Sequence, residues 1–188
     1  YEAEAVYTEL LASQGFTVSA LCNVMREACQ SFRVLVLGDL IVDEYVQCSV
    51  AGISGEAPIP VMTEISRSIF VGGAGVIARH LRALGCDVTF ATSFGRSDPI
   101  RVVHAQLDAE RIHRICLNDS SSVLVKSRYL VGSSKLFRVT RGDEYVPFEE
   151  GKFSELLERL SNFDVVFLAD FGSLFRNESL ISRLIDAC

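Results

Sequence analysis

The sequence contains no apolar run near the roughly 20 residues that a membrane-spanning helix needs. It also has no long basic run, since its 18 lysines and arginines are outnumbered by 24 acidic residues and the formal net charge is -6. Nucleic-acid binders carry a cationic patch, so a nucleic acid is not an expected partner. A membrane is not an expected partner either, because no apolar run is long enough to span one. With 49% apolar and 22% charged residues, the 188-residue chain is typical of a globular protein with its own core.

Two further absences concern cysteine and phosphate chemistry. The six cysteines form no Cys-x-x-Cys pair, and no histidine stands at a spacing suited to zinc. Because they lie among apolar neighbours, we expect reduced core thiols in a cytoplasmic protein. No Gly-Lys-Ser/Thr sequence occurs, which excludes the P-loop. The three histidines are assigned to helices, in structural or surface roles: His80, His104 and His113.

The sequence does contain alternating strand and helix patterns. Continuous apolar runs at 33–39, 87–95 and 164–172 predict strands buried on both faces. Helical patterns at 74–84, 98–112, 152–163 and 177–188 stand between or after them. We therefore expect an α/β fold with a parallel sheet and helices on both faces.

A second, smaller sheet is expected outside the main one. Segments 121–131 and 134–142 alternate and are joined through Gly132-Ser133-Ser134, which indicates a hairpin. Pro58 and Pro60 bar segment 48–65 from a central strand. We predict that 48–65 and 123–141 form a β flap, or lid, whose apolar residues require cover from a partner subunit or a substrate.

The stretch FVGGAGVIARHLRALG, residues 70–85, places glycines at the start of a helix. It fits the dinucleotide fingerprint G-x-G-x-x-G/A, so an NAD-binding Rossmann domain is one alternative. The strand before the glycines is short, however, and the next strand ends in Ala-Thr-Ser without an acid for a ribose. A purely structural role, in which the glycines allow close packing of helix on sheet, also stays open.

Four segments in this order resemble the ribokinase (PfkB) type of carbohydrate kinase: VLVLGDLIVDEY, ISGEAPIPV, FVGGAGVIARHLRALG and FGR. Within that superfamily they are most similar to heptose-7-phosphate kinases, including those fused to a nucleotidyltransferase. The later segments VLVKSRYLV, KLFRV and VVFLADFG resemble strands of the same kinases. The resemblance implies a ribokinase-like three-layer fold with a lid. It also implies an ATP- and Mg²⁺-dependent kinase acting on a sugar or sugar phosphate, and a homodimer formed through the lid.

The resemblance also assigns residues to the sugar site. Asp43 matches the acid that accepts two hydrogen bonds from sugar hydroxyls, as an ionised carboxylate can do for a vicinal diol. Gly72 and Gly73 would let backbone N–H groups approach the sugar at the start of a helix. The other candidate substrate-binding residues are two acids at strand ends and three cations on the hairpin: Asp39, Asp170, Lys126, Arg128 and Arg138. A strand-end cap or turn role for the acids stays open, as does a solvated strand face for the cations.

The chain also departs from the kinase pattern. Val76 stands where heptose kinases have a substrate-binding Asn, so the identity of the sugar is open. The Gly-Ala-Gly-Asp motif, which supplies the anion hole and the catalytic base, does not occur, and we expect the base beyond Cys188. We therefore interpret 1–32 as a helical linker or extension and 33–188 as the sugar-binding and lid part of a longer kinase. This fragment alone is expected to be inactive; the alternative is a non-catalytic sugar-phosphate-binding or dimerisation module.

Overall fold

The computed structural model describes residues 2–96, 98–119, 122–142, 147–172 and 178–187. The helices are α1 (Glu2–Ser13), α2 (Val18–Cys29), α3 (Ala74–Ala83), α4 (Pro99–Ala109), α5 (Glu150–Glu158) and α6 (Glu178–Ala187). The strands are β1 (Arg33–Gly38), β2 (Leu40–Ile53), β3 (Pro60–Gly73), β4 (Asp87–Ser93), β5 (His113–Asn118), β6 (Leu124–Val131), β7 (Ser134–Arg141) and β8 (Val165–Ala169).

The strands form two four-stranded sheets. The main sheet has the order β5-β4-β1-β8 and is parallel throughout. Helices cover both of its faces: alternate residues of β1 pack into two separate apolar clusters, with Val36 on the side of α3 and α4 and Leu37 on the side of α5 and α6. The predicted α/β architecture with helices on both faces is confirmed.

The second sheet, which we call the lid, has the order β3-β2-β6-β7. β2 and β3 form a long antiparallel hairpin, β6 runs parallel to β2, and β7 returns antiparallel to β6. Pro60 lies at the start of the edge strand β3, where a missing N–H is tolerated. The predicted separate lid is confirmed, although it begins at Leu40 and is therefore longer than predicted.

Three details differ from the sequence predictions. The apolar segment at 113–118 is a strand, β5, that was not predicted, and His113 lies in it and not in a helix. The cysteines are not all core thiols, because Cys22 is exposed on α2 and Cys29 is only half-buried. Cys188 lies outside the described residues.

The helices α1 and α2 precede the first strand and are held loosely. Thr17 caps α2, since its hydroxyl accepts a hydrogen bond from the Ala20 N–H at 3.1 Å. No residue of α2 is buried. None of the helices in the described part of the chain is long and apolar enough to cross a bilayer.

Candidate functional site

The order of the main sheet reverses at its centre, between β1 and β8. Open α/β sheets bind ligands outside the carboxyl ends of the strands at such a point. Asp39 follows β1 there and Asp170 follows β8. One carboxylate oxygen of Asp39 accepts a hydrogen bond from the Phe171 N–H at 2.8 Å, and Asp170 accepts one from the Gly172 N–H at 2.7 Å. Both predicted acids therefore border this crevice and shape the turn after β8.

The lid leaves the main sheet at Leu40, directly after this crevice. The Leu40 N–H donates to the hydroxyl of Thr92 at 3.1 Å, and both residues are buried. Thr92 lies near the carboxyl end of β4. This hydrogen bond fixes the first residue of the lid to the main sheet, because a buried N–H without an acceptor is costly.

The two glycines at the end of β3 pack against the point where the chain passes from β1 into the lid. Gly73 has a φ of 58°, in the left-handed region, and precedes α3 as its N-cap. The Ala74 N–H donates to the carbonyl oxygen of Asp39 at 2.9 Å, so one donor of the helix N-terminus is already used. A side chain on Gly73 would overlap that carbonyl, and a side chain on Gly72 would overlap the carboxylate of Asp43. Both positions therefore require glycine.

The strand before these glycines belongs to the lid and runs antiparallel to β2. In a dinucleotide-binding fold the glycine turn instead follows a parallel strand of the main sheet. The local structure here is therefore that of a lid-to-helix junction.

Asp43 lies at the base of the lid, across from Gly72. Its carboxylate forms an ion pair with the guanidinium of Arg128 on the neighbouring strand, and both side chains are about one-quarter exposed, at 24% and 23%. The hydrogen bond to Asp43 raises the pKa of Arg128. The guanidinium also lies over the ring of Tyr45, 5.4 Å from the centroid, which is a cation–π distance. Tyr45 in turn makes an edge contact with Phe70.

The predicted cations of the hairpin lie on the same lid face as Asp43. Lys126 is the strand partner of Asp43, and Arg138 is the strand partner of Arg128. Directly paired strand residues point to the same face, as do residues two apart. The structure thus places three cations on the lid face of Asp43, and Arg128 is the one that contacts its carboxylate.

The opposite face of the lid contains a buried carboxylate that the sequence analysis missed. Glu44 is 2% exposed, and its Oε2 accepts hydrogen bonds from Arg67 and Arg141, at 2.8 Å each, and from the hydroxyl of Ser127 at 2.6 Å. These residues lie on β2, β3, β7 and β6, so one carboxylate joins all four strands of the lid. We call this set the Glu44 cluster.

Two other residues at the site, Thr92 and Tyr45, were also missed. The alternation of IVDEYVQ placed Tyr45 on the face of Asp43 and was a usable signal. No signal in the sequence indicated the role of Thr92, because a threonine near a strand end is common and its partner Leu40 is distant in sequence.

Comparison with known proteins identifies relatives in sequence and neighbours in fold. No protein-family model matches the chain. The Bifunctional protein HldE of Caulobacter vibrioides is 31% identical over 156 residues, which are 82% of this chain and 32% of that protein. The protein of the same name from Nitrosococcus oceani is 32% identical over 145 residues, 76% of this chain and 30% of its own length. The chain therefore spans about a third of the length of the curated relatives it matches.

Solved structures share the fold at low sequence identity. Ribokinase from Giardia lamblia superimposes with a TM-score of 0.60 at 14% identity, over 84% of this chain and 51% of that chain. Phosphofructokinase-2 from Escherichia coli, solved in complex with substrates and products, gives 0.59 at 14% identity, over 82% of this chain and 51% of its own. These identities show the fold alone. The chain thus has the ribokinase-like fold of the carbohydrate kinases, and in sequence it is similar to the bifunctional HldE proteins.

Proposed function

We propose that this chain holds the sugar substrate of an ATP-dependent carbohydrate kinase, a sugar or sugar phosphate such as a heptose phosphate. The observation that carries the proposal is the position of Asp43 beside Gly72 at the base of the lid. The carboxylate can accept hydrogen bonds from two neighbouring hydroxyls, and the absence of a side chain at Gly72 lets this carboxylate lie close to the backbone. The sequence relatives and the fold are those of carbohydrate kinases, which supports this assignment.

The cations beside Asp43 favour a substrate that already carries a phosphate. Arg128 donates to Asp43, which orients its guanidinium, and Lys126 and Arg138 add two further positive charges on the same face. A guanidinium offers paired N–H donors to phosphate oxygens, and the ammonium adds a point charge. In the proposal, Asp43 and the Gly72-Gly73 turn hold the sugar ring while these cations hold its phosphate.

Asp39 and Asp170 are proposed to line the floor of the same site. Their carboxylates hold the backbone after β8 in place through Phe171 and Gly172. They border the crevice between β1 and β8 where the strand order of the main sheet reverses, so a hydroxyl that reaches it meets acceptors on both sides. Their role is to position and to bind, and no proton transfer is assigned to either.

ATP and Mg²⁺ belong to this proposal as the phosphoryl donor and its metal. Mg²⁺ in kinases is bound largely by phosphates and water, with few protein ligands. In the described ranges, no group of three His, Cys, Asp or Glu residues lies together as a metal site would require. We therefore assign no metal ligand and no chemical step to the described residues.

The proposal is tested by calorimetric titration of the full polypeptide that carries this sequence, with the Asp43→Ala variant beside the wild type. A heptose phosphate should bind the variant at least about tenfold more weakly, because each charge-assisted hydrogen bond contributes roughly 1.5–3 kcal/mol. ATP affinity should change little. Unchanged sugar binding by the variant, or tight binding of NAD by the wild type, would overturn the assignment.

A second role concerns the lid as an interaction surface. Its described residues include several large apolar side chains that are more than 50% exposed: Val50, Ile53, Ile59, Ile65 and Phe137. Exposed apolar side chains gathered on one small sheet are typical of a protein contact. We propose that a second copy of the chain covers them, so that the kinase is a homodimer through the lid.

A further inference from the structure

The loosely held helix α2 ends at a cysteine that lies against the core. Cys29 is the last residue of α2 and packs on the apolar cluster that contains Cys86, which is 3% exposed. Cys86 stands just before β4. From this contact we infer that Cys29 and Cys86 form a reversible disulfide that fixes residues 1–32 to the main sheet.

The backbones of the two segments run side by side at this point. The Asp87 N–H donates to the carbonyl oxygen of Phe32 at 2.9 Å. A side chain on Gly85 would lie 3.3 Å from Gln30 Cγ and 3.4 Å from the Arg26 carbonyl oxygen. The neighbours of Cys86 therefore lie against residues on both sides of Cys29, so the two segments that carry the cysteines are already in contact in the reduced chain.

The two thiols differ in access. Burial raises the pKa of the Cys86 thiol, and the neighbouring thiol of Cys29 raises it further. Cys29 is half-buried and is the thiol that solvent reaches. An oxidising disulfide therefore reacts first at Cys29, and Cys86 completes the exchange from inside the protein.

The exchange balances with a disulfide as oxidant. The Cys29 thiolate attacks oxidised glutathione, forms a mixed disulfide and releases one glutathione thiolate. The Cys86 thiolate then attacks the Cys29 sulfur, forms the intramolecular S–S bond and releases the second glutathione. The two cysteine protons pass to the two released thiolates, and the two electrons reduce the oxidant.

The packing around α2 gives this bond a mechanical consequence. A cleft of about 720 Å³ opens beside α3 and is lined by Gln30, Arg79, Arg82 and Glu110, among others. A second cleft of about 320 Å³ lies between α2 and α3 and is lined by Cys22 and Met25, among others. These clefts lie beside a helix that has no buried residue, so few contacts hold α2 in the reduced chain. A disulfide at its last residue would restrain the helix far more than its packing does.

Peptide mapping tests the inference directly. The native protein is incubated with oxidised glutathione, alkylated and digested with trypsin without reduction. Because Arg26, Arg33, Arg82 and Arg96 are cleavage sites, Cys29 falls in peptide 27–33 and Cys86 in peptide 83–96, each without another cysteine. We expect these two peptides to be joined, and dithiothreitol to separate them.

Cysteine variants supply the control. The disulfide should raise the thermal midpoint of the oxidised wild type. Cys29→Ser should abolish both the joined peptide and this rise. Cys22→Ser changes an exposed cysteine on the same helix and should retain both. Two results would overturn the inference. In one, the wild-type protein carries glutathione on Cys29 but gives no joined peptide. In the other, Cys29 and Cys86 are both unmodified after prolonged oxidation. The wild-type mapping decides this even if a variant folds poorly.

Discussion

At the scale of single residues, the proposed sugar site depends on how closely the backbone approaches Asp43. Gly72 is buried beside that carboxylate, and Gly73 beside it has a left-handed backbone that other residues adopt at a cost. A kinase site needs this closeness because the sugar must reach both the carboxylate and the backbone.

Replacing Gly72 with alanine tests that closeness. The new methyl group would overlap the Asp43 carboxylate and force it to move, so sugar-phosphate affinity should fall about tenfold or more in calorimetry. Overpacking should also lower the free energy of unfolding by about 1–3 kcal/mol. Gly55→Ala is the matched control, since nothing lies within 4 Å of a side chain there, and its affinity should equal that of the wild type. Equal affinities in the two variants would show that Gly72 does not face the sugar.

A second residue-scale prediction concerns pH. The side-chain hydrogen bond from Arg33, followed by the Arg33 backbone N–H, lowers the pKa of Asp164 to about 2. A carboxyl group whose pKa is lower in the folded chain than in the unfolded chain stabilises the folded state at pH values above its unfolded pKa of 3.8. This stabilisation is lost as the pH falls toward 2. Carboxyl-resolved NMR titration should find Asp164 ionised at pH 3, and Arg33→Ala should raise its pKa. A wild-type pKa near 4 would contradict the pairing.

At the scale of elements, the lid depends on two polar contacts within a largely apolar interior. Thr92 holds the first residue of β2, and the Glu44 cluster joins the four strands. The first contact fixes the start of the lid to the main sheet, and the second holds the lid strands to one another.

Thr92→Val removes the hydroxyl while keeping the shape of the side chain. The Leu40 N–H then loses its acceptor inside the protein, which should lower the free energy of unfolding by about 1–3 kcal/mol. Thr92→Ser keeps the hydroxyl and should lose less. Chemical denaturation of the three proteins measures the difference, and a valine variant as stable as the serine variant would contradict this role.

Removal of the Glu44 carboxylate should loosen the lid as a unit. Glu44→Ala leaves Arg67, Arg141 and Ser127 without their shared acceptor, and because both arginines are partly exposed we expect a loss of only about 1–3 kcal/mol. Glu64→Ala breaks an exposed pair with the same Arg67 and should cost no more than about 1 kcal/mol. Hydrogen exchange should show faster exchange across β2, β3, β6 and β7 in the first variant alone. Equal exchange in both would contradict the cluster's role.

The element scale also shows what the sequence could predict. The apolar runs of β1 and β4 were recognisable because a parallel strand covered on both faces is continuously apolar. The run at 164–172 also predicted a strand, β8, but its predicted burial on both faces was wrong, because Phe167 and Leu168 are 41% and 36% exposed. The strand β5 was missed because its charged first residues, His113 and Arg114, interrupt that pattern. Glu44 was missed for a related reason: a carboxylate within a strand indicates a solvent face, and here its three partners come from distant segments.

At the scale of the whole molecule, the resemblance in motifs was more informative than composition. The order of the Gly-Asp strand end, the proline-containing flap and the Gly-Gly turn predicted both the kinase fold and the neighbourhood of Asp43 and Gly72. The pairing of Asp43 with Arg128 was not predictable, because it depends on β6 lying parallel to β2 in one register.

The proposed homodimer contact through the lid is tested by measuring the molecular mass of the protein in solution. Ile53→Asp places a charge on a lid side chain that is 78% exposed, and it should convert a homodimer to a monomer in size-exclusion chromatography with light scattering. Val102→Asp, on α4 and 39% exposed, should leave the dimer intact. A wild type that is monomeric at all concentrations, or two variants with the same mass, would contradict lid-mediated dimerisation.

The central claim is that a sugar phosphate binds at the base of the lid. The most direct measurement is a crystal structure of the full polypeptide with a heptose phosphate. We expect two sugar hydroxyls within about 2.6–3.2 Å of the Asp43 carboxylate, the ring against Gly72 and Gly73, and the phosphate near Lys126, Arg128 or Arg138. Density for the sugar elsewhere, with Asp43 still paired only to Arg128, would contradict it.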